Sequence, residues 1–188
     1  MKITLLIFLM AINANCFAQA DSVKVADLVR KAYQWHNRQI TEDKGFDPRK
    51  AHSRDTLYND IDLKAVNFMV NKYRNSGFFD DEFLNNYKAL ALRMDKELRE
   101  KKAKWIEGGL PPFNHDADPW CNCGNAPGTY WQKIKILSVT IVSGRADVIW
   151  TWGSGLRYHV QAKKLSGLWK LTYLEGYDRK RYHWAAAQ

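Results

Sequence analysis

The chain has 188 residues with eight Trp and nine Tyr, 29 Lys plus Arg against 20 Asp plus Glu, and a formal charge of +9. That aromatic content excludes a disordered chain, and the length suits one domain with a sizeable core. The basic balance favours anionic partners, but no zinc-finger, recognition-helix or RNA-binding pattern occurs, so nucleic acid is not expected.

Lys2 supplies a positive charge ahead of an apolar run at residues 3–12 (ITLLIFLMAI), and Ala18-Gln19-Ala20 offers small residues for cleavage. This pattern predicts a secretory signal peptide over residues 1–20. Ten apolar residues cover only about half of a bilayer, and no second long apolar segment follows, so no membrane span is expected. Residues 21–188 then form a single periplasmic or secreted domain. A lipoprotein reading would acylate Cys16, but Asn13-Ala14-Asn15 lacks the apolar residue three before it and the small residue directly before it. The processed chain keeps Cys121 and Cys123, an even number in an oxidising compartment.

Asp21 or Ser22 can cap a first helix running to about Ile40, with Val25, Leu28, Val29, Ala32, Trp35 and His36 on one face. After a polar loop at 45–53, a shorter helix is predicted over 62–73, ended by Asn75-Ser76-Gly77. Asp80 is a good N-cap for a third helix. Phe79 and Leu84 are placed as a hydrophobic staple, and Leu84, Tyr87, Ala91, Met94 or Asp95, and Leu98 form its stripe. Gly108-Gly109 and Pro111-Pro112 are expected to stop it. The basic run 93–104 (RMDKELREKKAK) on this helix, and Arg179-Lys180-Arg181, read as solvated faces or as attraction to an anionic envelope surface.

Residues 111–129 form a long loop of turn-formers with embedded aromatics. The remainder alternates with a period of two, the mark of an antiparallel sheet with one apolar face. Strands are predicted over 130–142, 146–152, 156–163 and 169–173, with turns at Ser143-Gly144, 153–155 and Ser166-Gly167. The class is α+β, with N-terminal helices packed on a C-terminal sheet.

Leading helices and a closing meander ending in GLWKLTYLEG, with DADPW ahead of the first long strand, resemble an exported bacterial family of unknown function with a nuclear transport factor 2-like, cystatin-like cone fold. The resemblance covers about residues 23–177 and rests on short motifs. It implies a curved sheet wrapping a pocket against the first helix, and no particular activity.

No P-loop, G-x-S-x-G, H-E-x-x-H or dinucleotide pattern occurs. Cys121 and Cys123 read as a disulfide, although the ring is tight and worth only about 1.6 kcal/mol in the loop-entropy model. His115, Asp116 and Asp118 lie near enough to suggest zinc, but only one cysteine pair is present where structural zinc shows two pairs, so no metal is expected. Asp118 before Pro119 reads as an ordinary turn. Asp60 and Asp62 lack the glycine and terminal Glu of a calcium loop. His36 and Glu175 are the weak catalytic candidates. Glu175 continues the inward series Trp169, Leu171, Tyr173 and would be a carboxylate at the end of the apolar face.

No cofactor is expected. The leading functional reading is an exported, non-enzymatic binding protein, of which an inhibitor or immunity type is one form. It would hold a protein partner or an apolar small ligand through Trp120, Trp131, Trp150, Tyr158 and Tyr173 and the 111–129 loop. Trp120 reads equally as an exposed anchor or as a core plug. The alternative function is a small-pocket hydrolase or isomerase using a His/Glu pair.

Overall fold

A computed structural model describes residues 2–39, 46–109, 118–121, 128–153 and 155–180, with side chains from Gln19 onward. Its α+β class is as the alternation predicts. Helices α1 (Lys2–Gln39), α2 (Leu63–Ser76) and α3 (Asp81–Arg99) precede four strands, β3 (Lys135–Val142), β4 (Arg145–Thr151), β5 (Tyr158–Leu165) and β6 (Leu168–Leu174). A two-residue ladder, β1 (Pro48–Arg49) with β2 (Asp60–Ile61), lies between α1 and α2. The strands form one antiparallel sheet in the order β3-β4-β5-β6. No helix among the described residues is long and apolar enough to cross a membrane.

The helix ends follow from local chemistry. Asp62 caps α2, its carboxylate accepting from the Lys64 and Ala65 amides at 2.8 and 3.2 Å. Gly77 ends it in the left-handed region at φ 77°, where a side chain is strained. Asp80 caps α3 through the Glu82 and Phe83 amides, and the staple pair Phe79 and Leu84 is buried. Phe83, Tyr87, Leu90, Ala91, Met94 and Leu98 then recur at helical spacing and are buried. Asp95 is buried with them. It accepts from the Ile61 amide at 3.1 Å and from Arg99 Nε at 2.8 Å, which ties β2 to α3.

Four boundaries differ from expectation. α1 continues without a break through Asp21, because no glycine or proline interrupts residues 2–39 and Ala18 and Ala20 favour helix. α3 ends at Arg99, well before the glycine pair, with Lys101 in the left-handed region at φ 56°. That turn buries Ala103 and lets Trp105 accept from the Tyr58 amide at 2.9 Å, so tertiary pairing overrides the helical propensity of the basic run. In the sheet, Tyr130–Lys133 is a 3-10 turn and β3 starts at Lys135; β5 starts at Tyr158, leaving Leu156 exposed at 44%.

The apolar face carries Ala146, Val148 and Trp150 of β4, Tyr158, Val160 and Ala162 of β5, and Trp169 and Leu171 of β6, all buried. α1 lies on β3 and β6, and α3 on β6. The outer edge of β6 is covered by the segment before α3: Phe78 O accepts from Leu171 N at 2.8 Å, and Leu171 O accepts from Asp80 N at 3.0 Å.

Candidate functional site

The sheet interior and α1 meet in an aromatic cluster. α1 turns Tyr33 and His36 inward, and residues 118–121 bring Trp120 against them. The His36 and Trp120 rings stack at 3.8 Å and 9°. Tyr33 meets Trp120 edge-on at 5.1 Å and Trp150 at 4.8 Å, and Trp150 lies 5.2 Å from Tyr158. Trp120, Trp150 and Tyr158 are 1%, 0% and 2% exposed, so these three expected contact residues are core side chains. Burial lowers the His36 imidazole from 6.5 to about 3, which keeps the ring neutral at pH 7. The same burial raises the Tyr33 and Tyr158 phenols well above their usual range.

The turn that delivers Trp120 is clamped from three sides. Asp118 Oδ1 accepts from the Trp120 amide at 2.9 Å, and Asp118 O from the Cys121 amide at 3.1 Å, the turn expected of an Asp before proline. The Tyr158 hydroxyl donates to Pro119 O and accepts from the Gly176 amide at 2.8 Å. A Cβ at Gly176 would stand 1.9 Å from Pro119 O, so only glycine lets the two backbones approach. Cys121 is disulfide-bonded and 2% exposed. Its expected partner Cys123 lies outside the described residues, as do Phe113, His115 and Asp116. Trp131 is half-buried at the edge of the cluster. With the Asn37 amide turned to satisfy both neighbours, the Trp131 indole donates to Asn37 at 2.9 Å and Asn37 donates to Gly128 O at 2.8 Å.

Tyr173 and Glu175 differ from the alternation. The β5–β6 register slips between Gln161 and Ala162, so Ala162 faces Leu171 while Gln161 faces Tyr173. The extra residue, Thr172, flips the strand. Leu174 therefore points inward, and Tyr173 lies on the wet face, its ring 5.4 Å from His159 and its hydroxyl donating to Asp178 at 3.1 Å. Glu175 is buried, but by the 3-10 turn after β6 and not by the inward series. Its carboxylate accepts from the His159 amide at 2.7 Å.

His159 also lies within 2.9 Å of Asp147, which accepts from Gln161 at 2.9 Å. Partial burial raises the Asp147 carboxyl, but the hydrogen bonds from Gln161 and His159 outweigh it and hold the group below its ordinary value. No group of three or more His, Cys, Asp or Glu among the described residues is placed to hold a metal.

Two open concavities among the described residues lie away from this cluster. Where α3 ends, a cleft of about 460 Å³ is lined by Arg54, Leu57, Tyr58, Leu98, Lys101 and Lys104, among others. A second of about 520 Å³ shares Asn59, Leu98 and Lys101 with it and adds Asp60 and Arg99. Arg99 is held by Asp95 and Asp60 at 2.8 and 3.1 Å. Sequence reading marked the 93–104 run but missed Arg54, Leu57 and Tyr58, which reach it only because the Tyr58 and Glu107 amides pair with Trp105 O and Thr56 O. The chain matches no family model, no curated protein and no solved structure.

Proposed function

We propose that the chain is an exported binding protein of the cell envelope, non-enzymatic and of an inhibitor or immunity type, that engages an acidic protein partner. The export signal at residues 1–20 and the cone-like reading of helices on a meander belong to this proposal. One observation carries it. The two catalytic candidates read from the sequence already serve packing: the His36 imidazole is stacked under Trp120 and kept neutral, and the Glu175 carboxylate serves the His159 amide. A general acid or base needs reach to a substrate proton, and neither group has it there.

Recognition then falls to the surface. The paired clefts at the end of α3 combine Leu57, Tyr58 and Leu98 with Arg54, Arg99, Lys101 and Lys104 against the carboxylates of Asp55 and Asp60, a net basic mixture that suits an acidic peptide segment with apolar side chains. The test is capture from envelope extracts followed by cross-linking to map the contact. A partner cross-linked to the 54–59 and 98–104 segments, and lost at least about tenfold from Arg54→Glu/Lys104→Glu, is the expected result. A partner held equally by the charge-reversed chain, or turnover of a substrate abolished by His36→Gln, overturns the reading.

A further inference from the structure

The sheet ends in a second surface that the proposed function does not use. The turns after β3 and β5 lie at the same end, since those strands run in the same direction. Both are two-residue turns with positive φ at each position, Ser143-Gly144 at 49° and 74° and Ser166-Gly167 at 47° and 83°. The Lys164 amide donates to Gly144 O at 2.8 Å, which fixes one turn beside the other. Lys164 Nζ also reaches Asp21 Oδ2 at 2.7 Å, so α1 passes the same end at Asp21. Four large aliphatics gather here in water: Val23 at 65%, Val142 at 67%, Leu165 at 38% and Leu168 at 65% exposed.

Hairpin tips are ordinarily polar, and exposed aliphatics concentrated at one end mark an interaction surface. Charge identifies the partner. Lys24, Arg145, Lys163 and Lys164 stand around the tips, against the carboxylates of Asp21 and Glu82. Apolar tips ringed by cations match the interface of an anionic bilayer, where the aliphatics enter the headgroup layer and the cations meet phosphate.

We propose that this end of the sheet is a membrane-docking face, with Val23, Val142, Leu165 and Leu168 seated in the headgroup layer of an anionic bilayer. The face is independent of the α3 clefts, so it stands or falls apart from the proposed partner. The full chain is mixed with vesicles of 70% phosphatidylcholine and 30% phosphatidylglycerol, and amide exchange is followed by mass spectrometry. Contact through the tips slows exchange at 142–145 and 165–168 by about fivefold or more, an effect lost on Val142→Ser/Leu165→Ser/Leu168→Ser and weakened by 0.5 M salt. The matched variant Phe68→Ser/Leu92→Ser, which removes apolar surface elsewhere, keeps the protection. An unchanged melting temperature in the tip variant ties its loss to the lipid contact. Protection confined to residues 2–20, or tips that exchange equally with and without vesicles, overturns the proposal.

Discussion

Truncation of Trp120 tests the packing on which the functional reading rests. Trp120→Ala removes a ring that is 1% exposed, stacked on His36 at 3.8 Å and edge-on to Tyr33 and Phe79 at 5.1 and 5.9 Å. Cavity formation after a large aromatic is cut to Ala costs about 3–5 kcal/mol. The lost ring contacts favour the upper half of that range, since each aromatic pair adds about 0.5–1.5 kcal/mol beyond burial. Taking about 4 kcal/mol, and 2–4 °C per kcal/mol for a domain of this size, the melting temperature should fall by about 8–16 °C. Denaturant unfolding at pH 7.5, monitored by far-ultraviolet circular dichroism, gives the free energy directly, and an unchanged slope would show that compactness is retained. Trp120→Phe should recover part of the loss. A change below about 1 kcal/mol would mean that the ring stands in solvent as a recognition anchor, and the core placement would be refuted.

Two further substitutions probe the same constellation. Gly176→Ala should cost about 3 kcal/mol, the upper end for overpacking, because its Cβ meets Pro119 O at 1.9 Å; Gly128→Ala, with nothing within 4 Å, should stay within about 0.5 kcal/mol in the same melts, and equal effects at the two sites would discredit the clamp. His36 should make stability fall as acid is added. Its folded value of about 3 lies below the usual 6.5, so between those limits only the unfolded chain takes the proton. Its contribution is complete above pH 6.5 and drops by about 2 kcal/mol from pH 7 to pH 5. Urea titrations of wild type and His36→Gln across that window isolate it, and parallel curves for the two proteins would contradict a buried neutral ring.

The elements with a local cause were legible. Asp80 announced its cap, Gly77 the end of α2, and the two serine-glycine pairs their hairpin turns. The inward set on β4 and β5 followed from alternation alone. The errors arose where a distant partner decides. Lys101 turns the chain because residues 103–107 must pair with the 56–58 segment, and nothing inside the basic run encodes that. Leu156 sits in an alternating run yet stays outside the ladder, which β5 joins only at Tyr158.

The slip at Thr172 matters most, because it decides what the strand end can do. Read without it, Tyr173 and Glu175 continue the apolar face, and a carboxylate enters the interior on the side where α1 presents His36. With one extra residue, Leu174 takes the interior position, Tyr173 joins His159 and Asp178 outside, and Glu175 accepts from the His159 backbone. Leu174 thus stands opposite Val160, where Tyr173 would have stood, and the carboxylate one residue on is turned to the His159 backbone. Trp120, clamped by Tyr158 and Gly176, is buried with Leu174. One inserted residue and one glycine thus place Leu174 and Trp120 in the interior as core. Residues that meet other molecules are then sought outside that core, at the basic clefts beside Leu98 and at the apolar hairpin tips.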